Sequence, residues 1–135
     1  AILAEKLGYK TVSIPEHHLV NILMMPSPLQ MAVKIASLTK KIKITTGVAV
    51  LPLHDMRTYA GEVATADILT DGRLILGVGR GAFSWEMKRL GTPIESSKEK
   101  FIEFSSSEKW KAIEHHRTKG LESQWLLASK ENKIA

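Results

Sequence analysis

Three short segments rich in β-branched or apolar residues, Thr11–Pro15, Lys43–Leu51 and Arg73–Gly79, are separated by stretches with helical spacing, and this alternation constrains the chain more than any other feature. Helix-length connections between successive strands call for parallel pairing through right-handed crossovers, with helices covering the sheet. A first helix is already under way at Ile2, Leu3 and Leu7 and stops at Gly8. A second, Leu29–Thr39, places Leu29, Ala32, Val33, Ile35, Ala36 and Leu38 at helical spacing; a third, Tyr59–Leu69, ends at Asp71-Gly72. Ser96–Phe104 fits a further helix with Phe101, Ile102 and Phe104 inward. The predicted fold class is α/β. Beyond Ser105-Ser106-Ser107 the apolar residues Trp110, Ile113, Leu121 and Trp125 keep no steady period. Residues 1–104 are therefore read as the folded domain and 105–135 as a helical or irregular tail.

The ends of the three strands carry the chemistry. The last runs into RLILGVGRG, Arg73–Gly81, where Gly77, Gly79 and Gly81 let the backbone approach a bulky ligand and Arg80 offers a fork suited to phosphate. Glu16-His17-His18 follows the first strand, and TTGVAVLPLHDMR carries the second into a polar loop. Three such clusters predict a site assembled from strand-to-helix loops. An imidazole at His17 exchanges protons near neutral pH, although a histidine merely satisfied within its loop is the competing reading. Glu16 is read as orienting its neighbours. For His54 and Arg57 both a ligand-facing and a solvent-facing role stay open, and for Arg80 the alternative is a surface salt bridge.

Other motifs carry less. Gly77, Gly79 and Ala82 match a dinucleotide fingerprint, but that motif opens a first βαβ unit, and Arg80 would occupy the pyrophosphate's space. His115-His116 are adjacent, point to different sides of a helix and lack any ligand spacing, so no metal site is predicted. Ser84 has no nucleophile elbow around it.

The formal charge of +5 is spread evenly: residues 1–97 hold 11 Lys+Arg against 8 Asp+Glu, and residues 98–135 hold 8 against 6. Without a basic stripe interleaved with aromatics, nucleic acid is not an expected partner. The absence of cysteine excludes disulfides and thiolate zinc sites. No apolar run is long enough to span a bilayer and no export signal opens the chain, which leads to a cytoplasmic expectation.

Taken in order, AEKLGYKTVSIPEHH, PSPLQMA, TGVAVLPLHDMR and ATADILTDGRLILGVGRGAFSWEMKRLGTP resemble the flavin-dependent luciferase-like monooxygenases, over roughly Ala4 to Phe101. The resemblance implies a partial (β/α)₈ TIM barrel, corresponding to strands 2–4 with their helices, because a whole barrel takes about 250 residues. It further implies reduced FMN as cofactor, with the deazaflavin F420 the lesser option. O₂ would react through a flavin C4a-hydroperoxide, and the substrate would be an aldehyde, ketone or alkane-like molecule. A separate flavin reductase and a homodimer built on Leu29–Thr39 and Tyr59–Leu69 are the implied partners. By the same resemblance His17 matches the catalytic histidine, Gly47-Val48 the place of an often cis peptide under the flavin, and Arg80, flanked by Gly79 and Gly81, a contact to the FMN phosphate. The competing function is a catalytically inactive barrel fragment that associates with a partner chain. In either case an incomplete barrel is expected to expose apolar surface on the inner side of its sheet.

Overall fold

The computed structural model describes residues 1–21, 23–106 and 125–127. Its strands are β1 (Thr11–Ile14), β2 (Lys43–Thr46), β3 (Ala49–Val50), β4 (Leu74–Gly79) and β5 (Trp125–Leu127). Its helices are α1 (Ile2–Lys6), α2 (Pro28–Leu38), α3 (Met56–Leu69), α4 (Ser84–Arg89) and α5 (Ile94–Ser106), with a 3₁₀ turn at Leu51–Leu53. The sheet runs β1-β2-β4-β3, with β5 also on β4, and every pairing is parallel. The register sets Thr11 beside Lys43, Ile44 beside Leu74 and Ala49 beside Val78.

Pleating sends alternate residues to opposite faces. Ile14, Ile44, Leu74, Leu76 and Val78 are buried on one face, with Leu29, Ala32 and Ala36 of α2 and Tyr59, Val63 and Ala66 of α3 in the same core. The alanines let the helices lie close. Pro28 opens α2, where its missing N–H costs nothing. Asp55 caps α3 by accepting from the Arg57 amide at 2.9 Å, and Asp71 and Gly72, at φ 54° and 69°, turn the chain out of that helix.

The other face of the sheet corrects an expectation. It carries Thr11, Ser13, Lys43 and Thr45 beside Ile75, so the inner side is mostly polar. Exposed large apolar side chains lie instead on helices, at Leu3, Met31, Leu38, Ile68 and Leu69, and on the loops that follow β1 and β4, at Leu19, Met24 and Phe83.

The segment Lys43–Leu51 is not one strand. β2 stops at Thr46, the Gly47-Val48 peptide is cis, and β3 resumes alongside the far end of β4. Between the two pairings β4 comes unusually close to β2: a Cβ on Gly77 would collide with the Thr46 carbonyl, and Thr46 Oγ1 donates to the Gly77 carbonyl at 2.7 Å. Glycine is required there by proximity. Trp125–Leu127, in the stretch expected to be helical or irregular, forms a strand paired with Leu76–Val78; a short apolar run has no periodicity by which strand and helix can be told apart. The His115-His116 pair lies outside the described residues.

At the N-terminal ends of the strands two side chains tie the layers together. Glu5 of α1 accepts from the amides of Lys40, Lys41 and Ile42 at 3.0, 2.6 and 2.8 Å. Arg73 donates to the Thr70 and Ala36 carbonyls at 3.1 and 2.8 Å and to Thr39 Oγ1 at 3.0 Å, joining the ends of α2 and α3.

Candidate functional site

Because β1, β2 and β4 run the same way, the segments that follow them emerge at one end of the sheet. The loop after β1 is pinned by reciprocal backbone bonds between His17 and Met25, at 3.0 and 3.2 Å. Just before that bridge, Glu16 turns inward and is 2% exposed. Its Oε1 accepts from His18 Nε2 and from His54 Nε2, both at 2.8 Å, and its Oε2 accepts from the Val50 amide at 2.7 Å. Burial alone would raise the Glu16 pKa, but the hydrogen bond and charge of His54, with the His18 and Val50 bonds, outweigh it and hold the carboxyl below its ordinary value. Glu16 is thus a buried carboxylate shared by two imidazoles and a strand amide.

A second buried carboxylate sits opposite. Glu86 of α4 takes the His18 amide on Oε1 and His17 Nδ1 at 3.3 Å on Oε2. The His17 ring also meets Phe83 at a centroid distance of 5.2 Å. A carboxylate only accepts, so Nδ1 is the atom through which His17 is held, and its Nε2 has no partner among the described residues. His54 stacks on Tyr59 at 3.9 Å. The Tyr59 hydroxyl is buried without a hydrogen bond among the described residues, and burial, followed by the charges of Glu16 and Glu62, pushes its pKa well up.

Arg80 stands apart from this network. It is exposed and has neither a hydrogen bond nor an ion pair among the described residues, so the surface salt bridge read as its alternative is not formed there. Its neighbours leave no room for side chains. A Cβ on Gly79 would lie 2.7 Å from Val48 Cγ2, and Gly81, at φ 86°, would bring one 2.7 Å from Met87 Sδ. Gly79 and Gly81 therefore pack tightly, against Val48 on one side and α4 on the other, with the Arg80 side chain exposed between them.

The remaining sequence candidates divide. His54 joins the Glu16 network and lines a cleft of about 430 Å³ together with the Leu51–Arg57 segment and Lys100, Glu103 and Phe104 of α5. Arg57 faces solvent and pairs with Asp55 at 2.7 Å, holding the Asp55 carboxyl at a pKa of about 2. Gly47 is exposed and lies over β1, where a Cβ would run into Ser13 Oγ. Sequence reasoning missed Glu86. Its signal was an acid three residues after Phe83, placing a carboxylate on the same helical face as an aromatic. Among the described residues no cluster of three or more His, Asp or Glu is placed to hold a metal ion, and no helix is long and apolar enough to cross a membrane.

A family model described as luciferase-like monooxygenase matches residues 1–107. An uncharacterised protein, y4vJ, of Sinorhizobium fredii is 40% identical over 76% of this chain and 29% of its own length. The oxygenase component of a flavin-dependent trigonelline monooxygenase from Acinetobacter baylyi is 35% identical over 65% of this chain and 24% of its own length. Among solved structures, the oxygenating constituent of 3,6-diketocamphane monooxygenase from Pseudomonas putida, crystallised with FMN, superimposes with a TM-score of 0.67 at 21% identity, covering 76% of this chain and 31% of that one. The chain thus spans about a quarter to a third of the proteins it matches, and its parallel βα succession is that of part of a (β/α)₈ barrel.

Proposed function

Since this chain belongs to the luciferase-like monooxygenase family, we propose that it carries the FMN-phosphate contact and a proton-handling histidine of a flavin-dependent monooxygenase. The observation that carries the reading is Arg80: an exposed guanidinium without a partner among the described residues, between two glycines, at the strand end that also presents His17 and Gly47-Val48. These residues fit the cofactor. A guanidinium binds a phosphate through two parallel hydrogen bonds, and Gly79 and Gly81 add no side chain of their own on either side of it. The same fork favours FMN over F420.

Reduced FMN, when bound, supplies the electrons that activate O₂, so that one oxygen atom reaches an aldehyde, ketone or alkane-like substrate. The protein's share is positional. Arg80 would hold the phosphate, and Gly47, Val48, Gly79 and Gly81 would let the ring lie against backbone. His17 is the catalytic residue: Glu86 keeps its Nδ1 engaged, and Nε2 holds or delivers a proton. The apolar Phe83 ring lies beside the imidazole, at a centroid distance of 5.2 Å. A separate flavin reductase supplies the reduced cofactor, in line with a relative described as an oxygenase component. Homodimerisation would cover Met31 and Leu38 of α2 and Ile68 and Leu69 of α3, all exposed. The protein acts in the cytoplasm, a setting that suits a chain free of cysteine. The βα succession runs through α5 to Ser106, and Trp125–Leu127 of the tail joins the same sheet on β4.

The test is a fluorescence titration of the chain with FMN and with riboflavin, which lacks the phosphate. Arg80→Ala should weaken FMN by about 1.5–3 kcal/mol, roughly tenfold to a hundredfold, and leave riboflavin nearly unchanged. Arg80→Lys should recover part of the loss, since an ammonium keeps the charge without the fork. Equal weakening of both flavins would assign Arg80 to the turn rather than to the phosphate. If the unaltered chain quenches neither flavin, the competing reading of an inactive fragment that associates with a partner chain takes its place.

A further inference from the structure

Three imidazoles meet two buried carboxylates at this end of the sheet, and they are held in opposite senses. His17 is engaged through Nδ1 by Glu86, whereas His18 and His54 are both engaged through Nε2, by the same oxygen of Glu16. We infer that Glu16 is a positioning residue that fixes the ring protons of His18 and His54 on Nε2, so that both imidazoles take up and release protons at Nδ1.

An ionised carboxylate has no proton to give, so each Nε2 that approaches Glu16 Oε1 at 2.8 Å must be the donor. The other carboxylate oxygen is occupied by the Val50 amide at 2.7 Å, so Glu16 cannot turn to release either ring without leaving a buried N–H unpaired. The Nδ1 atoms of His18 and His54 have no partner among the described residues. Other groups close in from several elements. Glu86 of α4 takes the His18 amide, Tyr59 of α3 stacks on the His54 ring, and the Asp55–Arg57 pair follows His54 in the chain. None of them offers the two Nε2 atoms another acceptor. Glu16 therefore does for two histidines at once what second-layer carboxylates do singly elsewhere: it sets which nitrogen carries the proton. Through Val50 it also fastens this arrangement to β3, two residues beyond the Gly47-Val48 peptide.

The inference stands on this chain's own hydrogen bonds and does not require flavin, so its outcome is separable from that of the FMN titration. The experiment is long-range ¹H–¹⁵N correlation of the 135-residue chain at about pH 9, above the ordinary histidine range, with rings assigned through His18→Gln and His54→Gln. In the unaltered chain both rings should appear wholly as the Nε2–H form, with discrete Nε2 proton signals protected from exchange. Glu16→Gln should break this state in at least one ring. Its amide presents one oxygen and one NH₂, so it cannot accept from Val50 on one side and from the imidazoles on the other. That ring should then show a mixture with Nδ1–H and lose its protected signal, whereas Glu86→Gln should leave His18 and His54 as they were. A mixed or Nδ1–H state of either ring in the unaltered chain would overturn the assignment, as would a folded Glu16→Gln with both rings unchanged. If Glu16→Gln does not fold, the spectrum of the unaltered chain decides alone.

Discussion

The two ends of this sheet are built from the same kinds of side chain and treat them differently. At the N-terminal end, Glu5 and Arg73 spend their hydrogen-bonding capacity on backbone groups and partners within the chain. At the C-terminal end, Glu16 and Glu86 are similarly saturated, but the groups they hold, and Arg80 just after β4, keep free donors or acceptors: His17 Nε2, His18 Nδ1, His54 Nδ1 and the Arg80 guanidinium lack partners among the described residues. The contrast teaches that saturation identifies support, and a nitrogen left over on a saturated support identifies a place for something from outside.

The sharpest break of that comparison is Glu16→Ala, since Glu16 is a support that happens to lie at the functional end. It would orphan the buried Val50 amide and two imidazole donors together, and should cost about 2–4 kcal/mol in urea denaturation. A loss below 1 kcal/mol would mean that the C-terminal end is not braced by this carboxylate.

Acid separates the ends less strongly. The carboxyls of Glu5 and Glu16 are both held below the ordinary value of 4.5, Glu5 chiefly by the Lys41 and Ile42 amides. A depressed folded pKa gives stability that is fully present above the unfolded value and is lost as pH falls through the folded one. Thermal midpoints should accordingly hold from about pH 7 to pH 5 and then drop toward pH 3. Glu5→Gln should lower the midpoint at neutral pH and make the drop shallower. A drop of unaltered size would show that Glu5 is no part of it.

The smallest expected effect is the most telling. Arg80→Ala should change folding stability by less than about 0.5 kcal/mol, as for a surface side chain without partners. Such neutrality, combined with a large loss of FMN affinity, would place Arg80 with the open groups. A stability loss above 1 kcal/mol would move it among the supports.

What could be read from the sequence follows the range of the interactions involved. Strand and helix positions were legible because β-branched runs and 3.6-residue spacing are local, and so was the clustering of polar residues just after Pro15 and Gly79. The break of Lys43–Leu51 into β2 and β3 was not, because it depends on how Thr46 and Ala49 meet different parts of β4. Nor was the Glu16 network, whose partners His54 and Val50 lie on another βα unit. Glu16 as an orienting group was legible only in its pairing with His18, two residues away. The strand at Trp125–Leu127 escaped because three apolar residues carry no period.

The parallel pairing has a further consequence, in the order of events as the chain emerges. No two of β1, β2 and β4 are joined by a hairpin: Thr11 waits for Lys43, and Ile44 for Leu74, with a whole helix between each pair. Sheet formation must close a long loop at every step, and non-local closure of this kind is slow. During synthesis β1 and β2 therefore cannot pair until α2 has been made, and the edge that β1 offers to β2 stays open until then to any extended strand nearby. The short length of β1 and the exposed Thr11 and Ser13 on it limit what a stray strand can gain there, so the polarity of the inner face protects the nascent chain as well as wetting the finished one.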